Sequence, residues 1–137
     1  MSDCIFCKIV NNELPAHKLF EDDNILVFLD AFPGTKGHTL IIPKKHYQDI
    51  FDTPEEVYEN IVRVALKIAK ILKSALKFDG INFFQSSGTA AGQTVFHIHA
   101  HLFPRWEADK ALGTWLPKSN QFYNLEKLKN EILLHCK

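Results

Sequence analysis

Apolar residues gather in short runs toward both ends of this chain and in one long helical repeat between them. Residues 17–21 and 24–30 read as two strands joined by the turn-like pair Asp22-Asp23, and the second holds the longest apolar run, Ile25-Leu26-Val27-Phe28-Leu29. Residues 31–37 contain Pro33, Gly34 and Gly37 and read as a loop, and 38–43 is a third strand ended by Pro43. The clearest helix follows, with Thr53 as its expected N-cap, Pro54 at the first helical position and Glu56 completing a capping box. Val57, Ile61, Ala65, Ile68, Leu72 and Ala75 recur every three or four residues, while Lys67, Lys70, Lys73 and Lys77 form a solvated face. Asp79-Gly80 stops this helix, and residues 81–85 form a fourth strand. After a polar, small-residue loop at 86–93, residues 94–103 form a fifth, closed by Pro104. A short turn of helix is expected at 4–10, and Asn124 caps a terminal helix through Leu125, Leu128 and Ile132. Strands, one long helix, then strands again predict an α+β fold: a mostly antiparallel five-stranded sheet, one long helix and a C-terminal helix.

The fifth strand carries the chemistry. Along Val95-Phe96-His97-Ile98-His99-Ala100-His101-Leu102-Phe103, alternate residues share a face. One face holds His97, His99 and His101, and the other Phe96, Ile98, Ala100 and Leu102. Three imidazoles in a row cannot fill a core, because each ring nitrogen needs a partner. The apolar face therefore goes inward, and the histidine face meets a ligand, a metal or water. So regular an alternation argues against a solvated edge strand with chance histidines. Two readings remain: a catalytic metal site, since His-x-His pairs often supply ligands, and nucleophilic chemistry, in which one imidazole attacks while its neighbours set its tautomer and charge. An imidazole beside a charged neighbour resists protonation, so an attacking histidine can stay neutral at pH 7. The loop Ser86-Ser87-Gly88-Thr89-Ala90-Ala91-Gly92-Gln93-Thr94 tilts the choice toward the second. It is small, hydroxyl-bearing and glycine-punctuated, a composition able to aim backbone N–H groups at phosphate oxygens.

Composition narrows the partners. The chain of 137 residues is the size of one domain, spanning 1–137. Its 16 basic and 16 acidic side chains cancel, leaving seven histidines as the charge that swings near neutral pH. That balance argues against a broad basic surface, so no nucleic-acid partner is expected. No apolar run nears the roughly 18 residues of a membrane helix. Met1-Ser2-Asp3-Cys4-Ile5-Phe6-Cys7 has neither the basic start nor the apolar stretch of a signal peptide. Three cysteines, with Cys136 beside the last residue, fit a reducing cytoplasm better than a disulfide scaffold. Cys4-Ile5-Phe6-Cys7 is a Cys-x-x-Cys pair, a common half of a tetrahedral zinc site; the rival redox reading lacks a βαβ context.

The pattern His-φ-His-φ-His-φ-φ, with φ apolar, is filled at every position by His97-Ile98-His99-Ala100-His101-Leu102-Phe103. Ala91-Gly92-Gln93-Thr94-Val95, Ile5-Phe6-Cys7-Lys8-Ile9, Phe28-Leu29-Asp30 and Gly37-His38-Thr39-Leu40-Ile41-Ile42-Pro43-Lys44-Lys45-His46 join it in one register. On these residues the chain resembles the histidine triad (HIT) family of nucleotide hydrolases and transferases, above all its small Hint-like and bacterial members. The resemblance implies a HIT-like fold with a core at 3–106 and a variable extension at 107–137 holding the terminal helix. It implies that His99 attacks the α-phosphorus of a purine nucleotide conjugate, such as an adenosine phosphoramidate or a dinucleoside polyphosphate. A nucleotidyl-histidine forms, and water hydrolyses it. His101 would hydrogen-bond in the phosphate site, with His97 and Thr94 completing the catalytic set, and the second nitrogen of His99 would meet a backbone carbonyl. Gln93 and Thr94 match phosphate and leaving-group contacts, with Gly92 a further substrate-binding position. Asp30 matches the ribose carboxylate, His38 a further site histidine, and Ile5, Phe6, Ile9 and Phe28 the apolar slot for the base. Without the resemblance, Ile5, Ile9 and Phe28 read as core packing and Asp30 as a turn cap.

Ser86 and Ser87 depart from the family pattern, standing where many relatives have Asn or Gln for the phosphate. Serine is shorter and has one donor instead of two. The resemblance also supports a closed, and therefore structural, zinc set of Cys4, Cys7, His46 and His97, with no organic cofactor, and it implies a homodimer. The rival class, left open by the two serines, is a nucleotide-binding regulatory module with little catalysis.

Overall fold

The computed structural model describes residues 3–111 and 123–136; the rest of the expected C-terminal extension, 112–122 and 137, lies outside them. One antiparallel sheet holds β1 (Lys18–Glu21), β2 (Ile25–Leu29), β3 (Thr39–Pro43), β4 (Gly80–Gln85) and β5 (Ala100–Arg105), in the order β1-β2-β3-β5-β4. α1 (Ile5–Val10), α2 (Glu55–Leu76) and α3 (Leu125–Leu133) complete the α+β arrangement that the pattern of elements predicts. Among the described residues no helix is long and apolar enough to cross a membrane.

The apolar run of β2 is continuous because both faces of the sheet are covered there. Ile25 and Val27 pack with Ile41, Ala100 and Leu102 under Ile61, Val64, Ala65, Ile68 and Leu72 of α2. Leu26 and Phe28 face the other way and pack with Leu40, Ile42 and the α1 residues Phe6 and Ile9. α2 therefore closes one side of the sheet and α1 part of the other.

Four boundaries differ from expectation. β5 does not begin at 94 but at Ala100, where both its ladders end, on Ile41 of β3 and Gln85 of β4. Without a partner strand the chain bends at 95–97, and Phe96 comes out 41% exposed while Ile98 stays in the core. Nor does Pro104 close the strand: it sits within β5, opposite Ile81. The Arg105 carbonyl accepts from the Asp79 N–H on the β4 side, so residue 104 faces the β3 side. There the ladder has already stopped at Leu102, and a missing N–H loses no rung. Thr53, finally, does not cap α2. Its hydroxyl donates to the Asp49 carbonyl at 2.6 Å, and Pro54, extended at φ −61° and ψ 148°, takes the cap position. α2 ends with Lys77 left-handed at φ 53°, before Asp79-Gly80 is reached. The Asn124 cap is present, its side chain accepting the Lys127 N–H at 3.0 Å.

Candidate functional site

His97 lies just before β5, fully buried, against α1. Its Nε2 is 2.7 Å from the Pro43 carbonyl oxygen, which only accepts, so Nε2 carries the proton and donates. Nδ1 is left as a lone pair, 3.4 Å from Cys4 Sγ, 3.6 Å from Cys7 Sγ and 3.2 Å from His46 Nδ1. Cys7 Sγ is 3.4 Å from His46 Nδ1, and all four atoms lie within 4.8 Å of one another. Cys4 reaches this place as the N-cap of α1, its sulfur accepting the Cys7 N–H at 3.3 Å. Tetrahedral bonds of about 2.3 Å to sulfur and 2.0–2.1 Å to nitrogen give edges of about 3.3–3.8 Å. Four of the six edges, at 3.2–3.6 Å, are close to that spacing, and the donor set suits a zinc-like ion. Burial holds His97 down to about 4, so the ring is neutral, as a ligand must be. Burial, then the neighbouring Cys4 thiol, push the Cys7 thiol up, a cost that a central cation reverses.

His99 and His101 follow at alternate positions of the same segment, and Phe6 of α1 contacts His99 as it does His97. His99 Nδ1 lies 2.7 Å from the carbonyl oxygen of His97, so Nδ1 donates and Nε2 is unprotonated. The Gly34 N–H donates to His38 Nδ1 at 3.0 Å, which places the proton of His38 on Nε2. That Nε2 lies 2.9 Å from His101 Nδ1 and 3.5 Å from Asp30 Oδ2. His101 Nδ1 must accept, and the proton of His101 sits on its Nε2. One backbone amide thereby sets two tautomers. Asp30, His38 and His101 are also close enough to form a metal cluster, but His38 Nε2 holds a proton and has no lone pair to give, unlike Nδ1 of His97. Burial lowers His38 more than the Asp30 carboxylate raises it, and burial also lowers His99. Burial, with His99 and His38 beside it, holds His101 down to about 3. All three rings are therefore neutral at pH 7.

His99 and His101 line a cavity of about 490 Å³ together with Asp30, Gly92 and Thr94. Ile5, Phe6, Ile9 and Phe28 are in its wall. Phe6 stands edge-on to His99 with ring centroids 5.0 Å apart and edge-on to Phe28 at 5.5 Å, so Phe6, Ile9 and Phe28 are both core and wall, while Ile5 is exposed and wall alone, not the core residue its sequence suggests. Asp30 likewise has two duties: Oδ1 accepts the Phe32 N–H at 2.8 Å as a turn cap, and the carboxylate lines the cavity. A larger cavity, about 850 Å³, lies between the Asp22-Asp23 turn and α2 and has no histidine or cysteine in its lining.

Gln93, Ser86 and His38 do not line the smaller cavity. His38 sits behind His101 and reaches it through the hydrogen bond. Gln93 is buried as a brace: Oε1 accepts the Gly88 N–H at 2.8 Å, and Nε2 donates to the carbonyls of Gln48 at 2.8 Å and Val95 at 3.1 Å. The loop's own N–H groups behave alike. Those of Ala91 and Gln93 donate to the Gly88 carbonyl and that of Gly92 to Thr89, so donors expected to face phosphate close the loop instead. Ser87 Oγ accepts the Ile50 N–H at 2.9 Å and exchanges hydrogen bonds with Gln85.

Some of the lining was given no site role by the sequence. His17 is held beside the cavity by the Leu29 N–H, which donates to its carbonyl at 3.0 Å. Phe32, 91% exposed, stands at the rim, and Val95 contributes to the wall. A lone histidine before a strand and a phenylalanine in a proline loop become wall residues only through long-range folding.

A family model described as HIT domain matches residues 11–108. Adenylylsulfatase HINT3 of Arabidopsis thaliana is 43% identical over 108 residues, 79% of this chain and 55% of that protein. A crystal structure of a histidine triad nucleotide-binding protein from Candida albicans superposes with a TM-score of 0.84 at 36% identity, over 96% of each chain. That of a Zn-bound histidine triad family protein from Mycobacterium smegmatis superposes with a TM-score of 0.78 at 39% identity, over 99% of each.

Proposed function

The chain belongs to the HIT family, and from that premise we propose that it is a purine nucleotide hydrolase or transferase working through a nucleotidyl-histidine. The observation that carries this reading is the hydrogen bond from His99 Nδ1 to the His97 carbonyl, which leaves Nε2 as a free lone pair beside the cavity. Nε2 attacks the α-phosphorus, and the bond from phosphorus to the leaving group breaks. His101 Nε2–H gives its proton to the leaving oxygen or nitrogen. Water then attacks the phosphorus and returns a proton to His101, and the P–N bond to His99 breaks. The charge on the substituted imidazole is met by the carbonyl that already accepts from Nδ1. Asp30 accepts from the ribose hydroxyls, Thr94 and Gly92 border the phosphate, and Ile5, Phe6, Ile9 and Phe28 take the base. Adenosine phosphoramidates and dinucleoside polyphosphates are the substrate classes that such a site fits, and the adenylylsulfatase relative has a name consistent with adenylyl chemistry.

Cys4, Cys7, His46 and His97 would hold a structural zinc ion, which supplies a cross-link between α1 and the sheet; the Zn-bound relative supports this. No organic cofactor is invoked. The chain is read as one domain, with its core at 3–106 and an extension at 107–137, acting as a homodimer in a reducing cytoplasm, away from membranes and nucleic acid. The deciding experiment is His99→Ala. Turnover should vanish while nucleotide binding survives, and mass spectrometry of the parent enzyme mixed rapidly with substrate should find a nucleotide on His99. Binding without turnover in the parent protein would leave the regulatory-module reading, which the self-closed loop around Gly88 favours.

A further inference from the structure

We propose that Phe84 is a positioning residue for His101, fixing the plane of its imidazole so that Nε2–H is presented to the nucleotide cavity. The proposal rests on reading His101 as the proton donor to the leaving group.

Phe84 lies on the edge strand β4, directly opposite His101 in the ladder. The two rings stack with centroids 4.6 Å apart and planes 12° from parallel. Phe84 is not part of the cavity lining, so it acts on a nucleotide only through His101. A hydrogen bond from His38 Nε2 to His101 Nδ1 pins one atom of the ring but allows the ring to swing about that bond. A flat partner on the ring face removes the swing.

The partner is itself held. Phe84 meets Phe103 edge-on at 4.9 Å, Phe103 packs on His38 at 4.1 Å, and His38 closes the circle on His101. Four rings thus support one another around the proton of His101. Gly34 shows how tight the circle is. A Cβ at that position would fall 2.7 Å from the Phe103 ring, yet the Gly34 N–H must come close to bond His38. If Phe84 only filled space, any apolar side chain of similar volume would serve. If it orients the ring, only a flat one will.

The test compares Phe84→Leu and Phe84→Met, which keep apolar volume without a plane, with Phe84→Tyr, which keeps the plane. Turnover of adenosine phosphoramidate, melting temperature and the ¹⁵N signals of the His101 ring are measured in each folded variant. We expect the two aliphatic variants to lose about tenfold or more in kcat while KM stays within about twofold. The His101 ring should keep the Nε2–H tautomer that His38 sets, but its signals should broaden as the ring swings, and Phe84→Tyr should keep both kcat and sharp signals. An aliphatic variant with parental kcat and unbroadened His101 ring signals overturns the proposal. If the parent protein turns over no nucleotide, the functional reading fails, and the ring-nitrogen signals still decide the role of Phe84.

Discussion

Which nitrogen of an imidazole holds the proton depends on what the other nitrogen meets, and three histidines of one motif give two answers here through three different partners. His97 gives its proton to a carbonyl and turns Nδ1 to the thiols; His99 gives Nδ1–H to a carbonyl and frees Nε2; His101 accepts at Nδ1 and keeps its proton on Nε2. The alternation of histidines with apolar residues makes all three legible as site residues. The tautomers are not legible, because the partner of His97 lies 54 positions away and that of His101 63 positions away. Neutrality has a consequence for acid stability. His101, faced by His38, His99 and Asp30, titrates near 6.5 when unfolded and at about 3 when folded. Between those values the unfolded chain binds more protons, so the contribution of His101 is full above about pH 6.5 and is lost as pH falls toward 3. The melting temperature should therefore hold from pH 8 to 7 and fall below about 6, less steeply in His101→Asn; parallel profiles for the two proteins would contradict this. Turnover should likewise decline as pH falls, with a midpoint displaced below the ordinary histidine value because burial lowers His99; a midpoint at or above that value in a pH–rate profile would count against His99 as the attacking group. Gly34→Ala, which pushes on Phe103, should lower kcat by about tenfold while bound metal is unchanged, as metal analysis of the purified variant would show.

At the scale of elements, side-chain direction and strand pairing are separate facts. Alternation from His97 to Phe103 predicts a strand, and side chains do alternate from Ile98 onward. The ladder is shorter because β3 and β4 supply no partner before Ala100. Similarly, Thr53 has the residue type of a cap, but the turn at 49–53 takes its hydroxyl first. α1 poses a different question. Six residues are too few for a helix to persist alone, since isolated helices need about 12–15. Packing of Phe6 and Ile9 supplies part of what holds it, and an ion in the Cys4–Cys7–His46–His97 cluster would supply the rest. The same His97 whose ring faces the thiols offers its carbonyl to His99, so loss of the ion should loosen the attacking group as well as α1. Cys7→Ser should abolish binding of one zinc per chain and lower the melting temperature by about 5 °C or more. Zinc content and melting temperature equal to the parent's would count against a metal cross-link.

For the molecule as a whole, the composition excludes more than it assigns. Zero net charge argues against a broad field of lysines as the phosphate binder, and in the proposed mechanism the neutral imidazoles around His99 would hold and attack phosphorus without one. The same neutrality leaves no self-repulsion to oppose association of two copies. The homodimer proposed above would find a suitable surface at the sheet edge. β4 is an edge strand, and Phe83, 43% exposed, pairs with Leu102, whose side chain is in the core beneath α2. Partners in a ladder share a face, so Phe83 looks toward the α2 side. On α2, Val62 and Leu66 are four residues apart, on one stripe, and both are exposed. An open edge and apolar residues of this kind are an association hazard for a monomer and an asset for a dimer. Val62 and Leu66 could be seen in the sequence as apolar residues outside the core stripe of the helix, but Phe83 could not, because which face of β4 is covered depends on β5 inserting from later in the chain. The parent protein should scatter light as twice its 15.7 kDa chain, and Phe83→Asp combined with Leu66→Asp as one chain, with the melt still cooperative. A parent protein that is monomeric at tens of micromolar, or a double variant that stays dimeric, would move the interface elsewhere or remove it.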